Sequence, residues 1–143
     1  MSYRPKHFRI EELVSPELYE VVHEDALWQI FDPNLLKALD WLRERYGIIT
    51  VNDWVYGGGR RYSGLRGKHS PYYSPTSMHS VGKAADCLPK YINPHEVRED
   101  FRKMIAAGEE IPYITRVEDD VGWLHIDTKP IAPSQRPIHF FKP

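Results

Sequence analysis

Ser77-Met78-His79-Ser80-Val81-Gly82-Lys83-Ala84-Ala85-Asp86 and, 39 residues after Asp86, Trp123-Leu124-His125-Ile126-Asp127 carry most of what this chain says about its fold and chemistry. If residues 84–88 form a strand, alternation sends Ala84 and Asp86 to one face and Ala85 and Cys87 to the other. Asp86 then addresses a polar site while Cys87 enters the core. The same alternation sets Trp123, His125 and Asp127 on one face of a later strand, with Leu124 and Ile126 on the opposite, apolar face. Each strand thus offers a metal-type ligand on its polar face. His79, in the turn before the first strand, completes a set of two imidazoles and one carboxylate. Three protein ligands leave a fourth position open for water, as catalytic zinc requires. A structural zinc site is more often closed by Cys, and Cys87 is the only cysteine. The plainer alternative has His79 capping a turn and His125 as a satisfied strand histidine.

Caps and periodicity mark the elements around these stretches. Ser15-Pro16 and Asp32-Pro33 each read as an N-cap followed by Pro at the first helical position, where a missing N–H costs nothing. The second opens the clearest helix, in which Leu35, Leu36, Leu39, Leu42 and Tyr46 recur at helical spacing until Gly47 stops it. Residues 48–55 are rich in β-branched and aromatic side chains and read as a strand. Gly57 to Ser77, dense in Gly, Ser, Pro, Tyr and Arg, reads as a long loop of the kind that carries function. Val81 to Leu88 reads as a turn running into a buried strand. Asn93-Pro94-His95-Glu96 starts a second helix, with Glu96 as capping-box partner, that runs to about Gly108. Ile114 to Glu118 and Trp123 to Thr128 read as two strands joined by a turn, and the Pro-rich tail from Pro130 as irregular surface chain. The expectation is one α+β domain over residues 1–143, a small antiparallel sheet with flanking helices.

Composition narrows the function classes. With 41% apolar and 27% charged residues, the chain belongs with soluble globular proteins and not with disordered or membrane chains. A net charge of −1 and the lack of any long Lys/Arg run argue against a nucleic-acid partner. A single cysteine excludes an internal disulfide. The opening Met1 to Phe8 has no apolar core of a signal peptide, and no stretch approaches the roughly 18 apolar residues of a spanning helix. The expectation is therefore a protein made in the cytoplasm, without membrane insertion, that something else delivers if its substrate lies outside.

His79-x-x-Gly82-x-Ala84-x-Asp86 with the later Trp123-x-His125 resembles the signature of the zinc D-alanyl-D-alanine carboxypeptidases and L-alanyl-D-glutamate endopeptidases, the VanY and VanX type, whose fold is shared by hedgehog signalling domains. Within that group the chain is most similar to the short forms coded by bacteriophages and prophages. The resemblance covers roughly residues 48–129, and the N-terminal third adds nothing to it. It implies that His79, Asp86 and His125 bind Zn²⁺, that the fold is hedgehog-like, and that the substrate is a peptidoglycan stem peptide. It also gives Ser63-Gly64-Leu65-Arg66 a role, since the family carries an arginine upstream of its first His that binds the substrate carbonyl or the developing oxyanion. Arg66 suits that task as a fixed cation with fork geometry, although with Arg60 and Arg61 nearby it also reads as a solvated loop arginine. Ser77 matches a family serine and is a candidate substrate contact, or simply a turn serine. Such an enzyme would act on the cell wall after release through a membrane lesion, as a phage endolysin does, or travel in a virion.

One position departs from the pattern. The family places its general base, a Glu, three residues before the last His, and here that position is Gly122. Glu118, Asp120 and Asp119 are the candidate replacements. In a hairpin that sets Glu118 across from Trp123, Glu118 shares the face of His125, Asp119 points away and Asp120 sits in the turn. Glu118 ranks first, Asp120 second; a charged turn without function explains all three acids equally simply. Trp123 shares the ligand face and is expected to wall the cleft, and Asp127 to orient a ligand. The competing expectation is a non-catalytic virion or binding protein that keeps zinc after losing the base.

Overall fold

Four N-caps start four helices in the computed structural model, which describes residues 3–143. Ser15, His23, Asp32 and Asn93 accept backbone N–H groups at the starts of α1 (Pro16–Val21), α2 (Glu24–Ile30), α3 (Pro33–Tyr46) and α4 (Pro94–Ala106). Three of these were marked in the sequence by Pro at the first helical position; α2, capped by His23, was not. Gly47 ends α3 with φ +82°, as its position after the last apolar residue implied. Glu96 closes the start of α4 differently from a capping box, because its Oε1 accepts from the Asn93 side-chain amide, 2.7 Å away, and not from the Asn93 backbone.

Five short strands form one sheet, β1 (Ile49–Thr50), β2 (Ala84–Pro89), β3 (Arg116–Glu118), β4 (Leu124–Asp127) and β5 (His139–Phe141), in the order β1-β2-β4-β3-β5. The fold is α+β as expected, but the sheet is mixed and not antiparallel, for β5 runs parallel to β3. The chain from Pro130 does not stay irregular. It crosses through a 3-10 turn at Pro133–Gln135 and enters beside β3 in the same direction, where the Asp119 N–H donates to Phe141 O at 2.7 Å. A crossover of that kind is what a parallel neighbour needs. The strand expected over 48–55 shrinks to two residues. Asn52 instead donates to Val14 O and accepts from Ser63 N–H, and the Trp54 indole donates to Val14 O, so side-chain hydrogen bonds bend the chain away from the sheet.

α3 covers one face of β1 and β2, and α4 covers β4. Leu35, Leu36, Leu39 and Leu42 of α3 join Val97 and Phe101 of α4 and the inward residues Ala85, Cys87, Val117, Leu124 and Ile126 in one apolar cluster. Each such leucine contributes about 1.5–3 kcal/mol by leaving water. The other face of β2 and β4, with Asp86 and His125, is left to the functional groups. The N-terminal segment is clasped onto α3 by the buried Asp40 carboxylate, which accepts from the Tyr3 hydroxyl (2.6 Å) and from the Lys6 and His7 N–H groups (2.8 and 3.1 Å). Among the described residues no helix is long and apolar enough to cross a membrane.

Gly82 shows why the motif around His79 needs its glycine. Its φ is +73°, its carbonyl accepts from Asp32 N–H at 2.9 Å, and a Cβ there would stand 2.5 Å from Ile30 O. The turn bearing His79 is thereby seated against the junction of α2 and α3.

Candidate metal centre

His79 sits in a 3-10 turn, Met78–Val81, capped by Ser77, whose hydroxyl accepts from the His79 N–H at 3.2 Å. Its Nδ1 lies 3.0 Å from Gly64 O and donates to it, which turns Nε2 toward Asp86 Oδ2, 3.3 Å away. Gly64 can bring its carbonyl there only without a side chain, since a Cβ would meet Leu13 O at 2.1 Å. Asp86 and His125 are direct cross-strand partners in the β2–β4 ladder, and His125 Nδ1 is 2.8 Å from Asp86 Oδ1. On the far side of the ring, Nε2 faces Asp127 Oδ2 at 2.9 Å. Asp127 is fully buried and is held in turn by Arg116 at 2.7 and 2.9 Å.

His79, Asp86 and His125 each present one ligand atom within 4.8 Å of the others, and all three are buried. This set can hold a metal ion. The orientation of the rings supports it, because each histidine spends one nitrogen on an orienting acceptor, a carbonyl for His79 and a carboxylate for His125, and turns the other toward Asp86. Ligating histidines are commonly fixed in that way. Charge is also arranged to keep the carboxylates ionised. Burial pushes the Asp86 carboxyl up, yet hydrogen bonds from His125 and His79 outweigh it and hold it far below the usual carboxylate range. Burial opposes a charge on His125, but Asp127 and Asp86 overcome this and hold its imidazolium up to about 9. Asp127 is likewise kept low against burial by His125 and Arg116.

The ligands open into a cleft of about 360 Å³, which Arg66, Ser77, Glu118, Trp123 and Phe141 also line. Arg66 is fixed by donating through Nε to Tyr62 O (2.8 Å) and through Nη2 to Asp86 Oδ2 (3.2 Å), so it is not a solvated loop arginine. Burial pulls its pKa down and the Asp86 charge pulls it back up. Arg60, its neighbour in sequence, is a structural tie that donates to the carbonyls of Val51 and Asp86. Ser77 lines the cleft while capping the turn.

The three acids expected near the centre separate cleanly. Arg116 pairs with Asp127 and Val117 with Ile126, and continuing that register sets Glu118 across from His125, two residues from the expected Trp123. A slip of two preserves the face, so Glu118 does line the cleft. Asp119 instead pairs with Arg102 at 2.6 Å on α4. Asp120, with φ +60°, is an exposed turn residue 3.4 Å from Lys142 Nζ; it does not line the cleft. Gly122 is also in that turn and has open space around it.

Two residues of the centre escaped the sequence reading. Phe141 stacks edge-on against the His125 ring, with centroids 5.6 Å apart, from a segment whose prolines concealed a strand. Arg116 was passed over although a signal for it exists, for alternation puts it on the face of Glu118 in the same strand.

No family model, no curated protein and no solved structure matches this chain.

Proposed function

We propose that the protein is a zinc-dependent hydrolase of amide bonds in peptidoglycan stem peptides, with a hedgehog-like peptidase fold, acting as a D-Ala-D-Ala carboxypeptidase or L-Ala-D-Glu endopeptidase. The observation that carries the reading is the meeting of the His79, Asp86 and His125 ligand atoms with Glu118 and Arg66 in one cleft. Two imidazoles and one carboxylate are a donor set of the catalytic and not the structural type. His79 would bind through Nε2, His125 through Nδ1 and Asp86 through its carboxylate. When bound, zinc supplies Lewis acidity that lowers the pKa of a water to about 7 and polarises a carbonyl.

The chain's own groups do the rest. Arg66 holds the substrate carbonyl oxygen with its guanidinium and favours the negative charge that grows there. Glu118 takes the proton of the attacking water and gives it to the amide nitrogen as the C–N bond breaks, so that acid and amine leave. Trp123 and Phe141 flank the cleft. Delivery to the cell wall by phage lysis, or carriage in a virion, accompanies this reading.

A second reading is favoured by Gly122, which stands where the resembled family has its base: a virion or binding protein that keeps the metal and does not cleave. Purified peptidoglycan separates the two. The first reading expects about one zinc per chain and soluble peptide fragments that a chelator abolishes, with zinc lost when His79, Asp86 or His125 is changed to Ala. Full zinc content in His125→Ala would sink the site, and zinc without cleavage would sink the enzyme.

A further inference from the structure

Beside the metal centre lies a second cleft, of about 500 Å³, that the chemistry above leaves unused. It joins the first at Arg66, Asp86 and Trp123, which line both. Its outer wall comes from the long loop, chiefly Arg61, Tyr62 and Tyr72. Tyr62 is braced from behind, its hydroxyl donating to Glu17 Oε1 at 2.7 Å. Tyr72 meets the Tyr62 ring edge-on with centroids 6.4 Å apart, and the Arg66 guanidinium stands 5.7 Å from the centre of the Tyr72 ring. Tyr72 is 66% exposed and Trp123 40%, so both offer bare aromatic surface to a ligand.

The charge of this cleft is unbalanced. Arg60, Arg61 and Arg66 line it against a single carboxylate, Asp86, whose oxygens already face His79, His125 and Arg66. Arg60 is committed to two carbonyls, and Arg66 to Tyr62 O and Asp86. Arg61 is exposed at the rim, where the Glu17 carboxylate, braced on Tyr62, feels its charge. Its planar fork matches a planar carboxylate, and aromatic faces accept the backbone and apolar atoms that accompany one.

We infer that this second cleft is a subsite for a carboxylate-bearing residue of the substrate peptide, with Arg61 as its anion contact and Tyr72 and Trp123 as the surfaces it lies on. The inference rests on the peptidase reading of the adjoining centre for the nature of the ligand. It makes the protein selective for a free carboxylate over the corresponding carboxamide. In a stem peptide whose third residue is lysine, that carboxylate belongs either to the glutamate residue or to the C-terminus.

Four stem pentapeptides distinguish these sources: the second residue as glutamate or its carboxamide, each with a free or an amidated C-terminus. Dissociation constants are measured by calorimetry on zinc-loaded Glu118→Gln protein, with and without a further change at Arg61, and KM and kcat on the zinc-loaded wild type. One of the two amidations should weaken binding and raise KM roughly fivefold, as loss of a partly exposed charge pair does. Arg61→Gln should erase that difference and Arg61→Lys, which keeps the charge and loses the fork, retain only part of it; which amidation matters identifies the carboxylate. If neither amidation changes binding, if the difference survives Arg61→Gln, or if none of the peptides binds, the subsite is refuted. Arg61-dependent discrimination without cleavage by the wild type would keep the subsite and refute the peptidase reading. Equal cleavage of all four peptides would do the reverse.

Discussion

Glu118 and Asp120 are two residues apart and face different surroundings, one the metal cleft and the other solvent beside Lys142. On the proposed peptidase reading, Glu118→Gln preserves shape and should keep zinc while lowering cleavage by about 10²- to 10⁴-fold, the usual contribution of a positioned proton acceptor. Asp120→Asn should change the rate little. Rates for both, at equal zinc content, decide this; an active Glu118→Gln protein beside a dead Asp120→Asn one would transfer the role to the turn. Asp127 touches the His125 ring but offers no ligand atom to the cluster, so Asp127→Asn should weaken zinc binding by about 10- to 100-fold without abolishing it. Competition with a coloured chelator reads that affinity. Cys87 lies on the apolar face opposite Asp86, fully buried, and burial pushes its thiol far up, so a thiolate is scarce. It should resist alkylation until the protein unfolds, and Cys87→Ala should cost about 1–2 kcal/mol through a small cavity. Rapid alkylation of the native protein would contradict that position. These residues were legible because strand alternation alone assigns Asp86, His125 and Glu118 to one face, and a register error of two leaves that assignment intact. Asp120 was harder, since a turn residue has no alternation to orient it.

At the scale of elements, α4 reaches the centre indirectly. The Arg98 guanidinium, 5% exposed, donates at 3.0 Å to both Val121 O and Trp123 O, and so pins the turn that leads into β4. Arg98→Met would leave those carbonyls without donors, at a cost of about 2–3 kcal/mol. With Trp123 loosened, KM should rise more than kcat falls. Denaturant unfolding measures the first effect and steady-state kinetics the second; an unchanged KM would limit Arg98 to a stabilising role. Helix starts were readable from Ser15, Asp32 and Asn93 because Pro follows each cap. The strand over 48–55 was misjudged because β propensity says nothing of Asn52 and Trp54 finding Val14 O, a partner 38 and 40 residues away. β5 was missed for the opposite reason, since its pairing with β3 comes from a crossover that no local pattern announces.

For the whole molecule, the ligands join the His79 turn to β2 and β4, so metal binding should stabilise the native state. Zinc at a hundred times its dissociation constant adds about 2.7 kcal/mol. In a domain of this size that corresponds to roughly 8 °C in melting temperature. Thermal unfolding with and without chelator should show the drop in the wild type and none in His125→Ala. An equal drop in both would mean that zinc acts elsewhere. The α+β class was readable because helical periods come early in the chain and strand periods, with one more helix, come late, whereas the mixed pairing depends on contacts distant in sequence.

The motif-bearing stretch 48–129 cannot be lifted out as a graft. The carbonyl that sets the His79 tautomer belongs to Gly64, whose close approach to Leu13 leaves no room for a side chain. Leu65 also takes its backbone partner from Leu13, at 2.8 Å, and Phe141 closes the cleft from beyond the stretch. A transplanted 48–129 would carry all three ligands and lose the surfaces that aim them. The same dependence would give a remote control on a bound metal. Small changes of packing around Leu13 should alter the seat of Gly64, and through it the orientation of His79, without touching that residue. Variation in the N-terminal third would then be a means of tuning metal affinity.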